Sequence, residues 1–158
     1  MIGVARGGVM DMVVAAVGRM KTGPSRTLWD DYAKRIAWPL TLREVEEKRP
    51  LAGPELKARE GELLRKAVPD RAAIICLDAG GKSLDSRTFA KKLDEWQEGG
   101  TIAFLIGGAD GLDGTLLKAA SYTLSLSAMT WPHMMARTML IEQIYRAQCI
   151  LTNHPYHR

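Results

Sequence analysis

Three short segments in the last third of the chain carry residue types suited to holding a ligand. They are a glycine turn (Ile106, Gly107, Gly108, Ala109, Asp110, Gly111), a loop (Ser127, Ala128, Met129, Thr130, Trp131, Pro132, His133) and a tail (Asn153, His154, Pro155, Tyr156, His157, Arg158). Glycine has no Cβ, so such a turn lets a ligand approach the backbone and leaves N–H and C=O groups free to bond it. The loop feeds directly into a helix, so its backbone can grip an adenine or ribose edge while Met129 and Trp131 give apolar cover. In the tail, Tyr156, His157 and Arg158 put an aromatic face, a titratable ring and a fixed cation at consecutive positions after the stiffening Pro155. That trio suits stacking on an extruded base and pairing with its oxyanion or a phosphate.

Other chemistries lack their residues. There is no GxGxxG fingerprint, no Walker loop and no GxSxG elbow. His133, His154 and His157 lack the carboxylate or thiolate company of a metal site, so no metal is expected. His133 at a helix start and His157 just after Pro155 belong to no apolar stripe, which keeps both as functional candidates. Cys76 sits in an apolar run and Cys149 in a helical stretch, with no CxxC; both read as buried thiols in a reducing compartment.

The elements that must position these residues follow from hydrophobic patterning. With 158 residues, 46% hydrophobic and 25% charged, the chain can bury one ordinary core and is expected to form a single domain over residues 12–158. Residues 1–11, with Gly3, Gly7 and Gly8, carry no period and read as a disordered arm or an upstream-start extension. A net charge of +4 and a pI near 9.2 favour a polyanionic partner. No stretch approaches membrane-spanning length, and Met12 to Val17 is too short for a signal segment, so a cytoplasmic protein is expected.

Met12 to Val17, Ala72 to Leu77 and Ile102 to Ile106 are continuously apolar, as strands covered on both faces by helices must be. Leu40, Leu42 and Val45 mark an exposed strand, and Tyr122, Leu124 and Leu126 alternate with polar residues as in a half-buried one. Helices are expected over Pro24 to Ala37, Glu55 to Val68 and from a Ser86 cap through Trp96, with a short one capped by Asp113. The charged stretch Arg43 to Arg71 reads as a solvated helical face with loops. Asp78 to Lys82 should make a glycine turn. Strand-then-helix repetition argues for an α/β fold, an open and mostly parallel sheet with helices on both faces. Ligands then bind beyond the carboxyl ends of the strands, where the turns at Leu77 to Gly81, Gly107 to Gly111 and Ser127 to Pro132 gather.

The last helix is expected from Pro132, with Ala136, Leu140, Ile144, Ala147 and Leu151 on one face. Met135, Met139, Ile141 and Tyr145 occupy the others. A helix apolar all round must be covered twice, which points to a homodimer interface. Arg146, one turn after Glu142, reads as half of a helix ion pair.

Taken together, GGADGL, SLSAMTWPH, EQIYRAQCI and NHPYHR resemble the bacterial ribosomal RNA large-subunit methyltransferase H family, a small member of the SPOUT class, over nearly the whole chain from Met12. The resemblance implies a homodimeric enzyme that uses S-adenosyl-L-methionine to methylate N3 of a pseudouridine in 23S rRNA of the assembled ribosome. It also implies a C-terminal trefoil knot, which patterning alone would exclude. Carried over by position, the cofactor contacts would be Leu77, Gly107, Gly108, Ser127, Ala128, Met129, Thr130, Trp131 and Pro132. Tyr156, His157 and Arg158 match a substrate-side tail completed across the dimer. Where members often read Gly-Gly-Pro-Glu-Gly, this chain has Gly-Gly-Ala-Asp-Gly, so Asp110 keeps the charge on a shorter arm.

Methyl transfer of this kind is an in-line displacement that needs an aligned nucleophile and no metal. The imide N–H is weakly acidic, with a pKa on the order of 9, so the proton needs help to leave. Arg137, His157 and Arg158 are candidates for holding the resulting anion or flanking phosphates, and Asp110 or His133 for taking the proton. Three rival readings stand beside this one. A SPOUT-class enzyme acting on tRNA would usually carry an added RNA-binding arm. A nucleotide-binding oxidoreductase would need the missing fingerprint, and a non-enzymatic ribosome-binding module leaves the converging glycine turns without purpose.

Overall fold

The computed structural model describes residues 10–158, so the expected extension falls, for residues 1–9, outside the described residues. Five strands, β1 (Met12–Val17), β2 (Leu40–Val45), β3 (Ala73–Ser83), β4 (Ile102–Ile106) and β5 (Tyr122–Ser125), form one sheet in the order β2-β1-β4-β3-β5. Every pairing is parallel, so the sheet is wholly rather than mostly so. Four α-helices lie in the connections, α1 (Pro24–Arg35), α2 (Gly53–Ala67), α3 (Ser86–Trp96) and α4 (Gly114–Ala119), and α5 (His133–Leu151) follows the last strand.

The continuous apolar strands are explained by two cores, one on each face of the sheet. Met12, Val14, Ala16, Phe104 and Ile106 meet Trp29 of α1, Phe89 and Leu93 of α3 and Leu140 and Ile144 of α5. Val13, Ala15, Ala103 and Leu105 face the other way, onto Leu64 of α2 and Leu116 of α4. Side chains alternate along a strand, so a strand buried on both sides must be apolar at every position. Met10, placed outside the fold by its lack of period, is only 2% exposed and joins the first core.

Four local expectations are corrected. Asp78 to Lys82 is not a turn closing β3; the strand runs on to Ser83 through an irregularity in which Leu77 and Lys82 both pair with Leu124. Gly81 permits this, because a Cβ there would lie 2.6 Å from the carbonyl oxygen of Thr123. The cap of α3 is Asp85 rather than Ser86, its carboxylate accepting from the Thr88 N–H at 2.7 Å. The Ser86 hydroxyl instead reaches Gln143 of α5 at 2.7 Å. Pro132 is the residue before α5, not its first turn, and its carbonyl accepts from the Ala136 N–H. Finally, Ile141 is fully buried within the single chain, so it belongs to the chain's own core rather than to a surface awaiting a partner.

Candidate functional site

The connection leaving β1 runs to one side of the sheet, to β2, and the connection leaving β4 runs to the other, to β5. Between two such strands the loops part, and the crevice beyond their carboxyl ends is where open parallel sheets take ligands. A cavity of about 220 Å³ opens at the carboxyl edge of the sheet, on the β3 side of β4, between the ends of those strands and the segment after β5. Leu77, Gly107, Gly108, Ser127, Met129, Thr130 and Trp131 line it, together with His133; Ala128 and Pro132 complete the loop but are not among its lining residues. Asp78 and Ala79, from the Leu77 to Gly81 segment expected at this edge, also line it, and so do Leu126 and Ala136, which were not anticipated.

Two glycines shape the wall. Gly111 has φ +80°, which an L side chain resists, and its N–H reaches back to the Gly108 carbonyl at 3.1 Å. A Cβ on Gly107 would lie 2.6 Å from the Gly111 backbone, so the turn can close only around glycine. The facing loop is held by its own serines: Ser125 donates to the Ser127 carbonyl, and the Ser127 hydroxyl accepts from the Met129 N–H at 3.0 Å. This leaves Met129 69% exposed at the cavity rim, a large apolar side chain without cover.

Behind Gly108 stands a residue that sequence reasoning missed. Glu60 of α2 is only 8% exposed, and its Oε2 has no hydrogen-bond partner. Burial, and then the nearby charge of Asp110, pushes its carboxyl above the ordinary glutamate range. A Cβ on Gly108 would come within 2.7 Å of that oxygen. Glu60 lay hidden in a charged stretch read as solvated. Its one signal was Gly61, a glycine inside a helix, which lets α2 close on Asp113, 3.3 Å from where a Cβ would stand. Asp110 itself is exposed in the turn.

Arg137 does not face the cavity. It is fully buried, with Nη1 donating to Glu44 at 2.6 Å and Nη2 donating to the carbonyls of Val17 and Gly18 at 2.8 and 2.6 Å. The expected anion holder is instead a clamp that ties α5 to the end of β1 and to β2. Burial works to raise the Glu44 carboxyl, but the Met20 N–H and Arg137 outweigh it and hold the carboxyl below the usual range.

The tail folds back along α5. The Tyr156 hydroxyl donates to Glu142 at 2.9 Å and lies 3.3 Å from the Tyr32 hydroxyl, and its ring meets Tyr145 edge-on with centroids 4.8 Å apart. Burial and then those hydroxyl and carboxylate contacts push its phenol up. Arg146 pairs with Glu142 at 2.6 Å, as the spacing predicts, stacks on Tyr156 at 4.8 Å and comes within 3.1 Å of His157 Nδ1. Arg158 is exposed. No tail residue lines the cavity, and Glu142 lies six residues, about 9 Å, beyond Ala136, the cavity-lining residue furthest along a helix that rises about 1.5 Å per residue. Among the described residues no group of three or more His, Cys, Asp or Glu stands close enough to hold a metal ion, and no helix is long and apolar enough to cross a membrane.

A parallel sheet of this order with a glycine turn and a serine-braced loop at its carboxyl edge defines a methyltransferase of the SPOUT class: the family described as "Predicted SPOUT methyltransferase" matches residues 10–157. A methylase-family protein of Haemophilus influenzae Rd KW20 shares the fold, with a TM-score of 0.60 at 15% identity over 96% of this chain and 72% of that one. Within the class, the chain belongs to the ribosomal RNA large subunit methyltransferase H family. It is 50% identical to the member from Paramagnetospirillum magneticum over 151 residues, covering 94% of this chain and 99% of that one. It is 51% identical to the member from Rhodospirillum centenum over the same shares of each.

Proposed function

We propose that this protein methylates N3 of a pseudouridine in the 23S rRNA of the assembled ribosome, in the cytoplasm, with S-adenosyl-L-methionine as donor. The observation that carries the reading is the cavity between the Gly107–Gly108 turn and the Ser127–Thr130 loop, built mainly of backbone and apolar cover at the sheet's ligand-binding edge. These residues suit the cofactor: the glycines leave no side chain between ligand and main chain, and Met129 and Trp131 offer apolar faces to an adenine. When bound, the cofactor supplies an activated methyl group. Leu77, Gly107, Gly108 and residues 127–132 would hold it, while His133, which lines the cavity, and Asp110, exposed in the turn, would face the substrate.

The homodimer, the trefoil knot and the single-domain organisation are part of the same proposal. An apolar groove of about 600 Å³ lined by Leu28, Leu84, Phe89, Leu126 and Met139, with Met135 45% exposed beside His133, supports a second copy as its cover. A tail anchored far along α5 from its own cavity is then placed to serve the partner's, with Tyr156, His157 and Arg158 meeting the base and its phosphates. Calorimetry with S-adenosyl-L-methionine, followed by mapping of the methylated nucleotide in a deletion strain, tests the reading. No binding, or a modified nucleotide outside 23S rRNA, overturns it.

A further inference from the structure

Resting on the reading of the enzyme as one that acts on 23S rRNA, we propose that the loops after β1 and β2 grip the phosphate backbone beside the target nucleotide, with Arg19 and Lys21 as the main contacts and Lys48 extending them. Parallel pairing sets Val17 opposite Val45, so both loops leave the sheet at its carboxyl edge, where the cavity also opens. The first loop starts against residues that line the cavity. A Cβ on Gly18 would lie 3.8 Å from Nε2 of His133, and Val17 comes within 3.2 Å of where a Cβ on Gly108 would stand. Residues 18–23 then read Gly-Arg-Met-Lys-Thr-Gly, two cations with no acid among them.

The loop is pinned from its inner side. The Gly18 N–H donates to the Val45 carbonyl at 2.8 Å, the Met20 N–H donates to Glu44 at 2.6 Å, and Arg137 donates to the Gly18 carbonyl at 2.6 Å. Met20 is buried in the core, while its neighbours Arg19 and Lys21 are exposed on either side. The Arg19 side chain is 76% exposed, and its contact with Glu46 at 3.8 Å is a surface pair that solvent screens to little. Across both loops Arg19, Lys21, Lys48 and Arg49 face two carboxylates, Glu46 and Glu47, a surplus of two positive charges in a chain of net charge +4. Glu47 is further neutralised by Arg59 of α2 at 2.7 Å. Among the described residues neither Lys21 nor Lys48 has an ion-pair partner. A backbone already fixed needs little ordering when a ligand arrives, and cations without carboxylates to leave can each neutralise a phosphate and release its counterions. Such contacts position a nucleic acid without reading its sequence, which suits a surface beside the reacting nucleotide rather than on it.

The test is the double variant R19A/K21A, measured by filter binding to intact ribosomes between about 50 and about 200 mM salt, with calorimetric binding of S-adenosyl-L-methionine alongside. At about 100 mM salt ribosome binding should weaken about tenfold, and the slope of log affinity against log salt should become shallower by about 1.4 to 1.8, the mark of two lost phosphate contacts. Adding K48A should take about 0.7 to 0.9 more. Cofactor affinity should stay within about twofold of wild type. As a control, K66A/R71A removes two exposed cations at the opposite edge, where α2 leads into β3, and should leave the slope unchanged. An unchanged slope in R19A/K21A overturns the proposal, even with weakened binding, since the loop would then meet ribosomal protein rather than RNA. An equal change in K66A/R71A overturns it too, and a lost cofactor affinity moves the loop to the cofactor instead. A wild-type enzyme that binds ribosomes without transferring a methyl group overturns the underlying reading alone, because the salt slopes still decide the surface; one that does not bind ribosomes overturns both.

Discussion

The two ends of α5 are built in opposite ways. At its start, the cavity is walled by backbone and by apolar side chains left open, with Met129 69% exposed and a carboxylate behind Gly108 lacking a partner. Toward its end, Tyr32, Glu142, Arg146, Tyr156 and His157 satisfy one another through hydrogen bonds, an ion pair and ring contacts. Unsatisfied groups at one end and a closed network at the other fit the proposed division between a surface for the cofactor and a tail held for the substrate. Residue type alone points the other way, since the tail carries the more reactive side chains.

The contrast breaks most severely at the turn. Gly107→Ala must force apart backbone that leaves a Cβ only 2.6 Å from Gly111, and it is expected to reduce cofactor affinity more than about 100-fold by calorimetry, or about 2.7 kcal/mol. A variant that binds normally would show the turn to be remote from the cofactor. At the other end, deleting Tyr156 to Arg158 should abolish methylation of ribosomes while leaving cofactor affinity within about tenfold, or about 1.4 kcal/mol. Retained turnover would make the tail structural only. Arg137→Met tests the clamp between the two ends. It strands Glu44 without its cation, and removing one partner of such a pair costs about 3 kcal/mol, to be read from urea midpoints with cofactor affinity measured alongside. Lost turnover at unchanged stability would instead return Arg137 to the role of anion holder.

How much of this was legible in the sequence depends on the distance over which each residue finds its partners. The runs Val13 to Ala16 and Ala103 to Leu105 announce doubly covered strands, because burial on both faces leaves a local pattern. The Arg146–Glu142 pair is one turn apart and equally readable. Arg137 is not: its partner Glu44 is 93 residues away, and an arginine near a candidate site looks the same whether it is clamped or free. Glu60 is the converse, a residue of ordinary type in a charged stretch, made unusual only by Gly108 folding onto it from another part of the chain. The continuation of β3 through Asp78 and Gly81 was hidden for the same reason, since only the approach of Thr123 requires glycine there.

Glu44 and Glu60 give the smallest but most discriminating effect, because one carboxyl is paired and the other is not. The hydrogen bonds that hold Glu44 down stabilise the fold above the ordinary glutamate value of 4.5, and that contribution is lost as pH falls through the lowered folded value. For Glu60 the sign reverses. Its folded value is raised, so its contribution is intact below 4.5 and is lost as pH rises through the folded value, where a bare charge must be kept in the interior. Urea midpoints should therefore show E44Q losing most against wild type near neutrality and least at low pH. E60Q should match or trail wild type near pH 4 and surpass it near pH 8, since the amide never ionises. Parallel pH curves for the two variants would mean that Glu60 has a counter-charge after all, and the open end of α5 would then be as closed as the other.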